Sequence, residues 1–272
     1  MQVGGQLMPI DVVSAEEPEQ VIPEDDPAGE PEPGGLNGPF RPGSRIVSSA
    51  GGFGTVTAIV SHPGTGTVGV VTCAHVAPRA GLPMSFADGF TLGEAGEPTA
   101  RIAVADRWPG LEIRAVADES WAVDATFVPL RPEVRLRLEQ RGVLRNADAR
   151  PAPLNTLPPA RLLGQRVNLF GQATGRRTGF IRALAFEWFS AVGSHLFADY
   201  LIQHAGPQGD NVSEPGDSGK PAYTQDGRLA ALVWDGTRRR LGGFPETTWA
   251  AATDAAFAFQ RLKVLALDYP PA

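Results

Sequence analysis

The sequence predicts an all-β chain. Three observations carry this: 32 glycines and 25 prolines in 272 residues provide frequent turns. Short β-branched runs lie between those turn residues. A hydrophobic share of 42% is enough to build the core of one large domain or two small ones.

The first segment has a different character. Residues 1–40 hold nine acidic residues, seven prolines and no Lys or Arg. Such a stretch has too little apolar surface to offset its ordering entropy, so residues 1–44 are expected to be a largely disordered, solvating tail. The formal charge of −6 is then divided between −9 on the tail and +3 on residues 41–272. The fold proper, 45–272, is expected to begin at Arg45.

Gly51-Gly52-Phe53-Gly54-Thr55 is not followed by the Gly-Lys-Ser/Thr of a phosphate loop and reads as the entry to a first strand. Thr55 to Ser61 and Thr67 to Thr72, joined by His62-Pro63-Gly64-Thr65-Gly66, read as a hairpin. Further strands are expected at 98–105, 111–117 and 122–129. Residues 131–142 read as a short, solvent-facing helix ended by Gly142, and Pro151, Pro153, Pro158 and Pro159 mark a crossing into a second half. That half begins with Arg166 to Phe170 and continues through Gly175 to Ile181 and Phe197 to His204.

The chemistry is concentrated in Glu214-Pro215-Gly216-Asp217-Ser218-Gly219-Lys220-Pro221. Gly216 has access to backbone angles closed to other residues, which lets its N–H and that of Ser218 point into one small volume. Two such donors form an oxyanion hole. A Ser hydroxyl becomes a nucleophile when a base takes its proton, and His is the usual base. Of the four His, His75 ends the β-branched run Val70-Val71-Thr72-Cys73-Ala74. An Asp at the start of a strand is the expected third member, and Asp124 precedes the apolar run Ala125 to Leu130. His62 reads as a surface turn residue, His204 as a hydrogen-bonded strand end, and His195 has no motif around it.

These segments resemble the trypsin-like (chymotrypsin-fold) serine proteases. Gly216-Asp217-Ser218-Gly219 is similar to the family's nucleophile loop, and Thr72-Cys73-Ala74-His75 to its Thr-Ala-Ala-His segment. The order His75, Asp124, Ser218 is the family's order. The separations of 49 and 94 residues compare with roughly 45 and roughly 93 in the protease template. Gly175-Arg176-Arg177-Thr178-Gly179 is similar to a segment of the disulfide-free branch that includes plant NAL-type proteases and bacterial relatives.

The resemblance implies two six-stranded antiparallel Greek-key barrels: one at about 45–130, a connection over 131–160, and a second barrel with a C-terminal helix over 161–267. Pro221 to Thr224 and Leu229 to Trp234 match the strands after the nucleophile, and Thr253 to Leu267 the helix. It implies a serine endopeptidase with His75 as base, Asp124 orienting it, Ser218 as nucleophile, and the Gly216 and Ser218 N–H groups as oxyanion hole. Val212, six residues before Ser218, matches the base of the specificity pocket and points to an apolar preference. Trp234 and Gly236 match the strand that pairs with an extended protein or peptide substrate. No metal or organic cofactor is implied. The competing reading is a protease-fold binding or scaffold module without turnover.

Arg45-Ile46-Val47 is similar to the site at which trypsin zymogens are cleaved. Ser48-Ser49 replaces the Gly-Gly of that site and the stretch to His75 is short, so the likeness reads as coincidence and no activating cleavage is expected.

Cys73 is the only cysteine, which excludes an internal disulfide. Met1-Gln2-Val3-Gly4-Gly5 lacks a basic start and an apolar core, and no run approaches the ~18 apolar residues of a membrane span. A soluble protein of a reducing compartment, cytoplasmic by default and with secretion left open, is expected, with no membrane partner. The weakly basic body without interleaved aromatics argues against nucleic acid. Thr237-Arg238-Arg239-Arg240 follows the substrate strand, and an intramolecular contact with the acidic tail is the one regulatory expectation.

Overall fold

The computed structural model describes residues 2–3, 6–7, 35–37, 40–98, 102–103, 107, 120–121, 123–144, 154–189, 195–205, 211–239 and 247–267. Within the expected tail, β1 (Gln2–Val3) and β2 (Gln6–Leu7) form a short antiparallel pair, and residues 8–34 lie outside the described set.

The second half of the chain closes into a six-stranded barrel. Its strands are β12 (Arg166–Gly171), β13 (Gly175–Phe189), β14 (His195–His204), β15 (Pro221–Thr224), β16 (Leu229–Arg239) and β17 (Thr247–Asp254). The order round the barrel is β12-β13-β14-β17-β16-β15, every pair antiparallel. Alternating inward residues such as Val167, Leu169, Ile181, Tyr200, Ile202 and Val233 form its core.

In the first half, where a closed barrel was expected, the described strands form two four-stranded sheets and one separate two-stranded pair. One contains β3 (Arg45–Ser48), β4 (Phe53–Thr55), β7 (Pro83–Phe86) and β8 (Thr91–Glu94), ordered β4-β3-β7-β8. The other contains β5 (Ala58–His62), β6 (Thr67–Thr72), β11 (Thr126–Pro129) and β18 (Leu265–Ala266), ordered β11-β6-β5-β18. The two four-stranded sheets are joined between β8 and β11 by the bridge Gly93–Leu130, with the Arg131 N–H donating to Leu92 O (3.0 Å) and the Gly96 N–H to Phe127 O (2.8 Å). The backbones approach so closely there that a Cβ on Gly93 would lie 1.9 Å from the Pro129 carbonyl oxygen. Pro129 has no N–H with which to continue a ladder.

The hairpin β5–β6 turns at Thr65–Gly66 as the sequence predicts. Of the strand expected at 98–105, the described part is β9 (Ile102–Ala103), paired with β10 (Ser120–Trp121). Residues 111–117 lie outside the described set. Helix α1 (Pro132–Gln140) buries Val134 and Leu138 and is followed by Gly142 at φ +68°. Helix α2 (Ala255–Leu262) is shorter than the expected 253–267. Lys263 takes a left-handed φ of 57°, and the chain then adds β18 to the edge of β5.

Core packing reaches back ahead of Arg45. Leu36 and Phe40 are buried, and the Phe40 ring meets Phe86 edge-on at 4.8 Å. The Arg141 guanidinium donates to the Leu36 and Asn37 carbonyls. Ile46 is fully buried in mid-strand, paired with Gly54 and Phe86, so it is a core residue of β3. Among the described residues no helix is long and apolar enough to cross a membrane.

Candidate active site

Strand pairing brings the first two predicted residues together. β6 and β11 are antiparallel neighbours with Thr72 opposite Thr126, so His75, just past the end of β6, faces Asp124, just before β11. The His75 backbone N–H donates to Asp124 Oδ1 at 2.9 Å, and the ring Nδ1 bonds Asp124 Oδ2. The other ring nitrogen, Nε2, lies 2.8 Å from Ser218 Oγ.

Ser218 comes from the loop ahead of β15, in the other half of the molecule. Four hydrogen bonds, from Thr55, Thr57 and Gly219, fix that loop. The Thr55 N–H donates to Ser218 O (2.7 Å), and its hydroxyl to Gly216 O (2.9 Å). The Thr57 hydroxyl donates to Gly219 O (2.6 Å), and the Gly219 N–H to Val233 O (2.8 Å). Gly216 sits at φ +96°, and a Cβ there would lie 2.0 Å from Gln172 Nε2, so only glycine fits. Among the described residues, neither the Gly216 nor the Ser218 N–H donates to a protein acceptor.

The electrostatics suit a base. Burial alone lowers the His75 pKa, but the charge and hydrogen bond of Asp124 outweigh it and lift the imidazole above its ordinary 6.5, with Asp235 adding to the rise. Burial alone raises Asp124, but His75 and its hydrogen bonds hold the carboxyl below its usual range. The imidazole remains reachable, with 33% of its side chain exposed.

Cys73, His75 and Asp124 offer donor atoms within 4.8 Å of one another, the one potential metal-ligand group among the described residues. It is a poor fit to a cation. Burial, followed by the Asp124 charge, pushes the Cys73 thiol well above its ordinary pKa, and His75 Nδ1 is already committed to Asp124.

The residues expected to bind substrate are more varied. Val212 has no exposed surface: its side chain lies in the second core and its carbonyl accepts from Lys220 Nζ at 2.9 Å. Contact with a substrate side chain would require that loop to open. Trp234 is the extra residue of a β-bulge, since Val233 pairs with Ala252 and Asp235 with Ala251. By strand alternation Trp234, like Leu232, packs in the first core while Val233 packs in the second. At Gly236 a Cβ would lie 2.8 Å from Ser213 Cβ, so glycine is what lets β16 pass the loop that leads to Ser218. Arg238 and Arg239 continue β16, paired with Thr248 and Thr247, and Arg240 lies outside the described residues. His62 lies in the hairpin turn near Thr65, His204 is buried at the end of β14, and His195 pairs with Phe189 at its start.

Sequence reading missed Thr55, Thr57, Asp235 and Lys220. Thr55 ends β4 and Thr57 lies just before β5, so alternate threonines here signal only a polar side to the chain; which loop they meet is a long-range matter. The dyad Lys220–Asp217, three residues apart, was visible but carried no sign of burial.

A family model described as Nal1 C-terminal domain matches residues 34–267. No curated protein matches the chain by sequence. Among solved structures, the chain is similar to Cellulomonas bogoriensis chymotrypsin (16% identity, TM-score 0.51) and Thermobifida fusca protease A (15%, 0.51). It is also similar to Nocardiopsis protease, at 16% identity and a TM-score of 0.52. Each match covers 84% of this chain and 98% of the other. At that identity the likeness is one of fold, and the fold is chymotrypsin-like.

Proposed function

We propose, from the premise that the chain belongs to the Nal1 C-terminal domain family, that it is a serine endopeptidase of the disulfide-free, NAL-type kind. The observation that supports this most directly is the continuous line Asp124 Oδ2, His75 Nδ1, His75 Nε2, Ser218 Oγ. On this reading His75 takes the Ser218 proton as Oγ attacks a peptide carbonyl, then delivers it to the leaving amine. Asp124 holds the imidazole tautomer with its N–H on Nδ1 and balances the imidazolium that forms. The Gly216 and Ser218 N–H groups receive the negative charge on the carbonyl oxygen. Hydrolysis of the acyl-enzyme by water, activated by the same imidazole, restores the hydroxyl.

The test is covalent labelling by a fluorophosphonate together with hydrolysis of a peptide library. The native chain is expected to label and to cleave, and Ser218→Ala to do neither while keeping its circular dichroism and Tm. A folded native chain that neither labels nor cleaves would leave the binding-module reading in its place.

The proposal extends to the acidic tail as an intramolecular competitor for Arg238–Arg240, supported by the −9 charge on residues 1–40. Tethering gives the tail a high effective concentration, roughly millimolar for a short linker. Removing residues 1–34 should then raise turnover of a neutral peptide at low salt, and the gain should shrink near 1 M, where the Debye length is about 3 Å. Equal rates at low salt would reduce the tail to a solvated appendage.

A further inference from the structure

Lys220 is one of two lysines in the chain, and no part of its side chain, or of that of Asp217, is exposed. The proposed mechanism uses neither. The two flank Ser218 and form an ion pair beneath it, Nζ to Oδ2 at 3.2 Å. All three ammonium donors are used: besides Asp217, Nζ donates to Val212 O at 2.9 Å and to Thr174 Oγ1. Asp217 is equally committed. Oδ1 accepts the N–H groups of Ala173 (3.0 Å) and Thr174 (3.3 Å). Oδ2 accepts the Thr174 hydroxyl (2.6 Å) and the Glu214 N–H (3.2 Å).

This network ties both sides of the nucleophile loop to the turn between β12 and β13. The strand crossing it has glycine at the contact: a Cβ on Gly171 would lie 2.1 Å from Asp217 Oδ1 and 2.9 Å from Lys220 Cδ. Gly216 and Ser218, whose N–H groups are the candidate oxyanion donors, are the immediate chain neighbours of Asp217. A buried carboxylate without its cation is strongly disfavoured and is driven towards solvent. Asp217 cannot make that move without carrying both donors along. The other charged groups near the ammonium are Arg177, which opposes its charge, and Glu214, which favours it.

We propose that Lys220 is a positioning residue, whose ammonium anchors the Asp217 carboxylate and through it holds the Gly216 and Ser218 N–H groups in the geometry that receives an oxyanion. The inference rests on the serine-peptidase reading for its use, but the loop geometry it asserts stands separately. The oxyanion site is thus set by an ion pair internal to the loop.

The test compares the full chain with Lys220→Met and with the double variant Lys220→Met/Asp217→Asn, which removes both charges and avoids a stranded buried carboxylate. Hydrogen exchange across residues 211–220 reads the loop without any need for turnover. Exchange there is expected to rise by about tenfold or more with the rest of the barrel unchanged. Fluorophosphonate acylation and kcat are expected to fall by roughly 10²–10³, the usual cost of an oxyanion donor, with KM little altered. The low-field proton resonance of the His75–Asp124 hydrogen bond should persist, which separates a lost oxyanion site from a lost base. Native exchange, acylation and kcat in folded Lys220→Met, or in the double variant where the single one does not fold, would overturn the proposal. A wild-type chain that never acylates would sink the peptidase reading alone, and the exchange comparison would still decide the positioning role.

Discussion

At the scale of single residues, the proposed peptidase chemistry makes His75 the group that sets the pH dependence. It must be neutral to accept the Ser218 proton, so activity is lost as pH falls through its pKa. Asp124 lifts that pKa above 6.5 against the lowering effect of burial, because the imidazolium is the form that the carboxylate favours. The acid limb of kcat/KM against pH is therefore expected above 6.5 in the native chain. Asp124→Asn removes the carboxylate and favours the wrong tautomer. It should lower kcat by about 10⁴ and move the residual limb to lower pH. A native limb well below 6.5, or an Asp124→Asn enzyme with the native profile, would contradict the assigned coupling.

At the scale of elements, the end of β17 and the start of α2 share one residue. Asp254 caps the helix by accepting the Phe257 N–H at 2.8 Å, and its other oxygen accepts the Tyr200 hydroxyl at 2.5 Å. Its own N–H donates to Asp199, which Arg107 pairs from the other side. Burial raises the Asp199 carboxyl to about 6 despite that arginine, so the cluster is closely balanced. Asp254→Ala removes the cap, worth about 0.5–2 kcal/mol, and strands a buried Tyr hydroxyl at a further cost of about 1–3 kcal/mol. Urea unfolding should register a loss of about 2 kcal/mol or more, and Asp254→Asn, which keeps a cap acceptor, a smaller one. Equal stability of Asp254→Ala and the native chain would show that the cap does not matter. By contrast, β13 and β16 run further than the sequence reading, to Phe189 and Arg239, while β11 starts later, at Thr126. β16 continues to Arg239, because the bulge at Trp234 takes up the irregularity without ending the pairing.

At the scale of the whole molecule, the first and last parts of the chain both bind the first half. β18 pairs with β5, and Leu36 and Phe40 lie in the same core cluster. A chain starting at Gly35 keeps those contacts, whereas one starting at Pro42 exposes the cavity of a buried Leu and a buried Phe. Single truncations of such residues cost about 2–5 kcal/mol each, and 1 kcal/mol shifts Tm by roughly 2–4 °C at this size. The Gly35 start should therefore melt with the full chain, and the Pro42 start about 10 °C lower or more. Identical melting curves would remove Leu36 and Phe40 from the stabilising core.

The sequence alone determined the β class, the hairpin β5–β6 and most strand positions, and it singled out His75, Asp124 and Ser218, which the fold brings within hydrogen-bonding reach. These are local signals: a turn between β-branched runs, or a reactive residue held in a loop of fixed chemistry, is written within a few neighbours. Tertiary structure alone decided how closely β8 and β11 approach at Gly93, that β18 returns to β5, and that Val212 is a core residue. It alone decided that Thr55 and Thr57 latch the nucleophile loop and that Lys220 is wholly buried on Asp217. Those outcomes depend on which distant backbone comes within hydrogen-bonding reach and on how much water is excluded there, and neither is encoded in the spacing of residues along the chain.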